Sequence, residues 1–402
     1  MNRRFRQIPE GMQDTLPGEC LQKRALEGRL RALFSAHGFK EAKTPQIEYF
    51  DVFTGGVSGI EARRMWKTFD AHGNILVVRP DNTTPMVRLA ATKLRDAALP
   101  IRLCYVQDAL EFPQQEGARF CEMTQAGVEL MGEGGAEADA EIVALAIRSL
   151  LRAGLTSFQI DIGQVDFFKG LMQEAGLSDA DSEELRGYVE QKNMLAIELL
   201  LRDKAVGEHV KERIMRLPML YGGEEVLESA WNMSESPLCR KAIDNLREVM
   251  RALADYGLSR YVSIDLGMVH AIHYYSGMIL RGITGNLGRA LLSGGRYDLL
   301  PADFGRPMPA IGFGIDVKQL LIALERQGVA FEEPVSDVLV GFEKGARAQA
   351  IAFAQVMREQ GKRVEMCYER TGEEVAELGA KKGVRRAVYV DARGVHEAQA
   401  RE

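Results

Sequence analysis

A chain of 402 residues exceeds what one ordinary hydrophobic core organises, so two or three domains are expected. Its composition, 46% apolar and 27% charged, is that of a soluble globular protein, and no run approaches the roughly 18 apolar residues that cross a bilayer. A net charge of −6 argues against a chain whose main work is gripping nucleic acid, and five scattered cysteines without CxxC spacing offer no metal site or disulfide framework.

The N-terminus, MNRRFRQIPEGMQD, is basic but has no apolar segment behind it, so no secretion signal is expected and a cytoplasmic protein is. Pro9 to Cys20 is a loop rich in Pro and Gly, and Leu21 to Phe39 has the spacing of an amphipathic helix ended near Gly38. Pro45 interrupts the segment that follows, which suits an edge or interface strand. Met65 to Asp81 predicts a β-hairpin turning at Asp70–Asn74, and Thr84 to Ala97 a helix with Pro85 in its first turn. Ile101 to Phe112 is a strand that leads through a loop into Phe120–Leu130. There, period-2 alternation puts Gln125, Gly127 and Glu129 on one face, and Ala126, Val128 and Leu130 on the other. A carboxylate and an amide flanking a glycine leave a floor on which a small polar ligand can approach the backbone.

Ala136 to Leu151 is a strong helix with an acidic first turn. From about 166 to 258 the pattern is almost wholly helical, with breaks at Gly170, Gly187, Pro218–Gly223 and Pro237, and predicts an inserted helical module. Strand patterns resume at Tyr261–Val269, His273–Ile283 and Ala290–Asp298, and Pro309–Leu324 is a glycine-bearing strand running into a helix. Past Glu332–Pro334, strand and helix alternate with nearly balanced charge, a small α/β unit with a parallel sheet. The glycines of Ser293-Gly294-Gly295-Arg296-Tyr297-Asp298 fit a phosphate loop or a tight sheet-edge turn equally. His270 and His273 have no third ligand beside them for a metal.

Taken together, Pro9-Glu10-Gly11 with Asp14, HGFKEAKTPQIE, RPDNTTP, QAGVE, HYYSG and SGGRYD resemble the histidyl-tRNA synthetase catalytic core, in order, over roughly Phe5 to Leu324. The resemblance implies an α+β protein with a class II aminoacyl-tRNA synthetase-like antiparallel sheet flanked by helices. It assigns residues 1–330 to that core, with the insert at about 166–258, and 335–402 to a shortened anticodon-binding domain. It further implies that Asp81 and Thr83 meet the α-amino group of histidine, that Gln125 and Glu129 contact the same ligand, and that Tyr274 and Tyr275 approach its imidazole. Glu111 lies near the end of the ligand where an arginine stands in the synthetase.

The departures from that pattern are Glu111, His270 and Gln319 in places where the synthetase carries arginines, with Cys121 a further one and His273 in the place of an aspartate. An arginine replaced by a glutamate reverses a charge worth roughly 4 kcal/mol at 4 Å and an effective dielectric near 20, which is severe for a site that must hold ATP phosphates; Lys318, close by, offsets little of it. A synthetase-like core with a histidine pocket and without those arginines is similar to the regulatory-subunit family of ATP phosphoribosyltransferase. This implies a chain with no catalytic residues, no cofactor and no metal. Its expected partners are a short-form catalytic subunit in the first step of histidine biosynthesis, free L-histidine as feedback effector, and a second copy of itself, paired around Thr44–Glu48 within a hetero-oligomer. Neither tRNA nor membrane is an expected partner. The alternative is an active histidyl-tRNA synthetase-like ligase.

Overall fold

The computed structural model describes residues 6–56, 60–112, 121–204, 206–269, 274–285, 287–329 and 335–398. Within it the chain divides into two compact units, Met1–Ala330 and Phe331–Glu402.

The first unit opens on α1 (Pro17–Ala36), so the segment read as loop to Cys20 already contains a helical turn. Pro17 occupies the first helical position, where its missing N–H costs nothing, and Glu19 reaches back to accept from the Leu16 N–H at 3.2 Å. β1 (Lys40–Glu41), β2 (Ile47–Tyr49) and α2 (Asp51–Thr54) follow. The hairpin of β3 (Trp66–Phe69) and β4 (Ile75–Val78) turns where expected. There the Asp70 carboxylate accepts from the backbone N–H groups of His72 and Asn74. β4 lies between β2 and β3 in a small three-stranded sheet.

Next come α3 (Thr83–Thr92), β5 (Ile101–Leu110), β6 (Glu122–Met131), α4 (Gly135–Ala153) and β7 (Gln159–Gln164). The helical region comprises α5 (Val165–Ala175), α6 (Asp179–Glu190), α7 (Met194–Asp203), α8 (Glu208–Arg216), β8 (Tyr221–Gly222), α9 (Glu225–Trp231) and α10 (Pro237–Asp255). β9 (Val262–Asp265), β10 (Met278–Ile283), β11 (Leu292–Arg296), α11 (Leu300–Asp303), β12 (Ala310–Asp316) and α12 (Val317–Arg326) complete the unit. Nine strands form one sheet in the order β1-β5-β6-β12-β11-β10-β7-β9-β8. Its centre is antiparallel, whereas β1–β5 and β7–β9 pair in parallel, so the sheet is mixed.

The insert differs from expectation in two respects. It contributes β8 to the edge of the large sheet, and neither Gly170 nor Gly187 breaks a helix. Gly170 sits inside α5 because α10 crosses it closely: a Cβ there would lie 2.5 Å from the Cys239 sulfur. Among the described residues, no helix is long and apolar enough to cross a membrane.

The second unit is a four-stranded sheet, β13 (Val338–Phe342), β14 (Val364–Glu369), β15 (Arg386–Asp391) and β16 (Gly394–Glu397), in the order β14-β13-β15-β16. The first three strands are parallel as expected, and β16 folds back antiparallel on β15. α13 (Arg347–Glu359) covers one face around Val340 and Val388, and α14 (Gly372–Lys382) covers the other around Leu339 and Val375.

Candidate functional site

β6 carries the site because its alternation is strict. Ala126, Val128 and Leu130 are fully buried on one face, and Gln125 and the equally buried Glu129 lie on the other. That second face, with β11, β12, the end of β5 and the start of α3, encloses a cavity of about 270 Å³. This is near the lower bound of small-molecule pockets, roughly 300–1,000 Å³, and suits a ligand of amino-acid size.

Six of the seven residues singled out from the sequence line it: Asp81, Thr83, Glu111, Gln125, Tyr274 and Tyr275. Glu129, the seventh, lies fully buried behind them, where it accepts from the Thr83 hydroxyl at 2.9 Å and from the Tyr297 hydroxyl. Burial pushes its carboxyl up to about 8, against these hydrogen bonds, which pull it down. Asp81 also begins α3: its carboxylate accepts from the Thr84 N–H at 2.8 Å and the Thr84 hydroxyl at 3.0 Å. Its proton affinity is likewise raised by burial. Asn82 donates to the Gln125 side-chain oxygen at 2.9 Å and so fixes which way that amide faces. The paired tyrosines pack edge to face at 5.0 Å, and Tyr274 meets Tyr297 at 5.9 Å, so they are core aromatics and pocket walls at once.

The floor is not where the sequence suggested. Gly127 leaves room for Tyr105: a Cβ would fall 2.5 Å from that ring and its hydroxyl. The glycines that line the cavity are instead Gly294, Gly312 and Gly314 on the neighbouring strands. SGGRYD is accordingly strand, not phosphate loop, since Leu292–Arg296 is β11 and a Cβ on Gly294 would strike β12. Lys318 does not face the cavity. Its ammonium bonds Gln13 at 2.5 Å on the wall of a second hollow, formed by α1, α12 and the start of β6. Gln319 lies in the first turn of α12, its N–H donating to Asp316 at 3.0 Å. His270 and His273 lie outside the described residues. Among those described, no group of three His, Cys, Asp or Glu is placed to hold a metal ion.

Two residues that the sequence reading passed over matter here. Tyr297, inside the SGGRYD motif, holds Glu129. Arg64 forms an ion pair with Glu111 at the rim. Burial raises the Glu111 carboxyl, and Arg64 opposes that rise. The pair is set by backbone: Met65 bridges Glu111 antiparallel, the Phe112 N–H donates to the Arg64 carbonyl at 3.0 Å, and Trp66 stacks on Phe112 at 4.5 Å.

The sequence profile of the histidyl-tRNA synthetase family matches residues 11–320. A protein from Acetivibrio thermocellus named ATP phosphoribosyltransferase regulatory subunit is 45% identical over 358 residues, 89% of this chain and 86% of its own. One of the same name from Ruminiclostridium cellulolyticum is 42% identical over 89% and 85%. Among solved structures, an ATP phosphoribosyltransferase regulatory subunit/histidyl-tRNA synthetase from Bacillus halodurans superposes with a TM-score of 0.84 at 32% identity, covering 96% of this chain and 97% of that one. A histidyl-tRNA synthetase from Nostoc shares the fold with a TM-score of 0.80 at 20% identity, covering 96% and 92%. With a class II synthetase-like sheet, a small pocket on its open face and these relatives over most of its length, the chain belongs to the ATP phosphoribosyltransferase regulatory subunit family.

Proposed function

We propose that this chain is a non-catalytic subunit that activates a short-form ATP phosphoribosyltransferase catalytic chain and transmits feedback inhibition by free L-histidine, bound in the cavity above β6. The observation that carries this reading is the polar set around one small cavity. Asp81 and Glu129 suit an ammonium, the hydroxyls of Tyr274 and Tyr275 suit an imidazole, and Glu111 at the rim is paired with Arg64. Feedback requires L-histidine to bind the inhibited and active states of the assembly unequally.

The test is to co-express the chain with a short-form catalytic subunit of ATP phosphoribosyltransferase. A stable complex is expected, with phosphoribosyl transfer strongly dependent on this chain and inhibited by L-histidine. An unchanged rate without a complex, or histidine-dependent exchange of pyrophosphate into ATP by this chain alone, refutes the reading.

Assembly through a second copy is supported by the outer face of the three-stranded sheet. There, Ile47 and Tyr49 remain 49% and 54% exposed beside Leu76 and Val78, while Glu48 and Val77 turn inward. The double variant Ile47→Glu/Tyr49→Glu is expected to run as a monomer in size exclusion with light scattering, where the parent runs as a dimer. A variant that stays dimeric places the interface elsewhere.

A further inference from the structure

We propose that Arg64 receives the carboxylate of the amino acid held in this cavity, with Glu111 as the residue that positions its guanidinium. This rests on the reading of the cavity as an amino-acid site and adds to it the group that selects an α-amino acid over its decarboxylated amine.

The reasoning begins with charge. Asp81, Glu111 and Asp316 line the cavity and Glu129 lies behind it; Arg64 is the one cation among the described lining residues. These acids suit an ammonium, but the other end of a zwitterion must then sit in a field of its own sign. One unit charge at about 4 Å is worth roughly 4 kcal/mol at an effective dielectric near 20, so a carboxylate without a facing cation would be expelled. Arg289, next to the lining residue Ala290, is exposed and acts on Asp316, and three other nearby cations are engaged elsewhere. Lys318 bonds Gln13 on the second hollow, Arg281 pairs with Asp161, and Arg296 pairs with Asp139.

Arg64 also has donors to give. It meets Glu111 through a terminal nitrogen, and its Nε, shut away from solvent, has no hydrogen-bond partner among the described residues. A guanidinium is built to serve a carboxylate through two parallel N–H groups, and the pair with Glu111 does not use that fork fully. The bridge between Met65 and Glu111 and the stack of Trp66 on Phe112 hold both partners on paired backbone, so the guanidinium meets a ligand already oriented. The adjacent Arg63 is different: it is 76% exposed at its side chain and pairs outward with Glu61.

The experiment titrates the full chain with L-histidine and with histamine, which keeps the imidazole and the amine but lacks the carboxylate. Calorimetry gives the affinities and the fluorescence of Trp66 a local check. The parent should prefer L-histidine. Arg64→Gln should weaken L-histidine by about 10- to 100-fold, the range of a charge-assisted hydrogen bond, and leave histamine within about twofold. Glu111→Gln, which keeps the guanidinium but removes the group that positions it, should weaken L-histidine by a smaller factor than Arg64→Gln and leave histamine within about twofold. Arg64→Lys, a point charge without the fork, should fall between parent and Arg64→Gln and covers the case in which the neutral variant does not fold.

If Arg64→Gln and Glu111→Gln weaken both ligands alike, the pair is structural and the proposal fails while the amino-acid site stands. If Arg64→Gln binds L-histidine as the parent does, the proposal also fails. A parent that binds neither ligand refutes the amino-acid site itself and this assignment with it.

Discussion

Glu129→Gln is expected to weaken L-histidine binding about 10- to 100-fold, the loss of one hydrogen bond to a charged group, while making the empty chain more stable at pH 8. Both effects have one cause. Glu129 is buried among Thr83, Tyr105 and Tyr297, with no ion pair among the described residues, and burial holds its carboxyl at about 8, above its ordinary value of 4.5. Between those two values the folded chain keeps a proton that the unfolded chain has released. Its stability therefore falls as pH rises from 4.5 and levels off above 8. At roughly 1.4 kcal/mol for each pH unit, the window amounts to a few kcal/mol. A glutamine avoids that cost, so the difference in melting temperature between variant and parent should grow from pH 5 to pH 8.5. The same group makes ligand binding proton-linked. An ammonium held in the cavity in front of the buried Glu129 favours the ionised form, so L-histidine should bind more tightly as pH rises toward 8 and release a proton on binding at pH 7. Calorimetry in two buffers of different ionisation enthalpy counts that proton. A melting difference that stays flat with pH would mean that Glu129 is charged in the empty pocket and that this account of it is wrong.

Legibility from sequence tracked how local each determinant is. The alternation of Gln125 and Glu129, the turn at Asp70–Asn74 and the helix after Asp316 are written in neighbouring residues, and the structure has all three. Pro17 was ambiguous because a proline that opens a helix and one that sits in a loop look alike until the next turn is seen. β7 went unread because six residues, Gln159–Gln164, are short enough to be lost between two helices, yet the strand lies inside the sheet, between β10 and β9. Gly127 shows the limit more sharply. That a glycine leaves space is local, but that Tyr105 fills the space depends on the register of β5 against β6, which pairs Tyr105 with Gly127. Arg64 shows it again. Nothing in Ala62-Arg63-Arg64 says which arginine turns inward; the bridge to Glu111, almost fifty residues on, decides it.

The largest loss of stability is expected from Asp139→Ala. Arg296 is buried in the middle of the larger unit, and both its Nε and a terminal nitrogen donate to one oxygen of Asp139, at 2.8 and 2.6 Å. The other oxygen of Asp139 accepts from Asn245 on α10 at 3.1 Å, so the carboxylate joins α4 to β11 and to the helical insert. Removing it leaves the guanidinium with Asp298 at 3.1 Å and the carbonyls of Glu133 and Gly135 but without its strongest partner, and breaking a buried pair from one side costs about 3–5 kcal/mol. Removing both charges is a different matter, because apolar groups of similar volume often replace such a pair with no net loss. Asp139→Leu/Arg296→Met should therefore recover much of what Asp139→Ala loses. Both tryptophans, Trp66 and Trp231, belong to the larger unit, so urea unfolding followed by their fluorescence reports on this region alone. The outcome bears on function as well as folding. An arginine committed to Asp139 is withdrawn from the cavity that its neighbours Gly294 and Tyr297 line, and cannot serve an anion there. Were Asp139→Ala to unfold no earlier than the parent, Asp298, already 3.1 Å from Arg296, would be holding the guanidinium without Asp139, and the pair with Asp139 would not be what fixes this region.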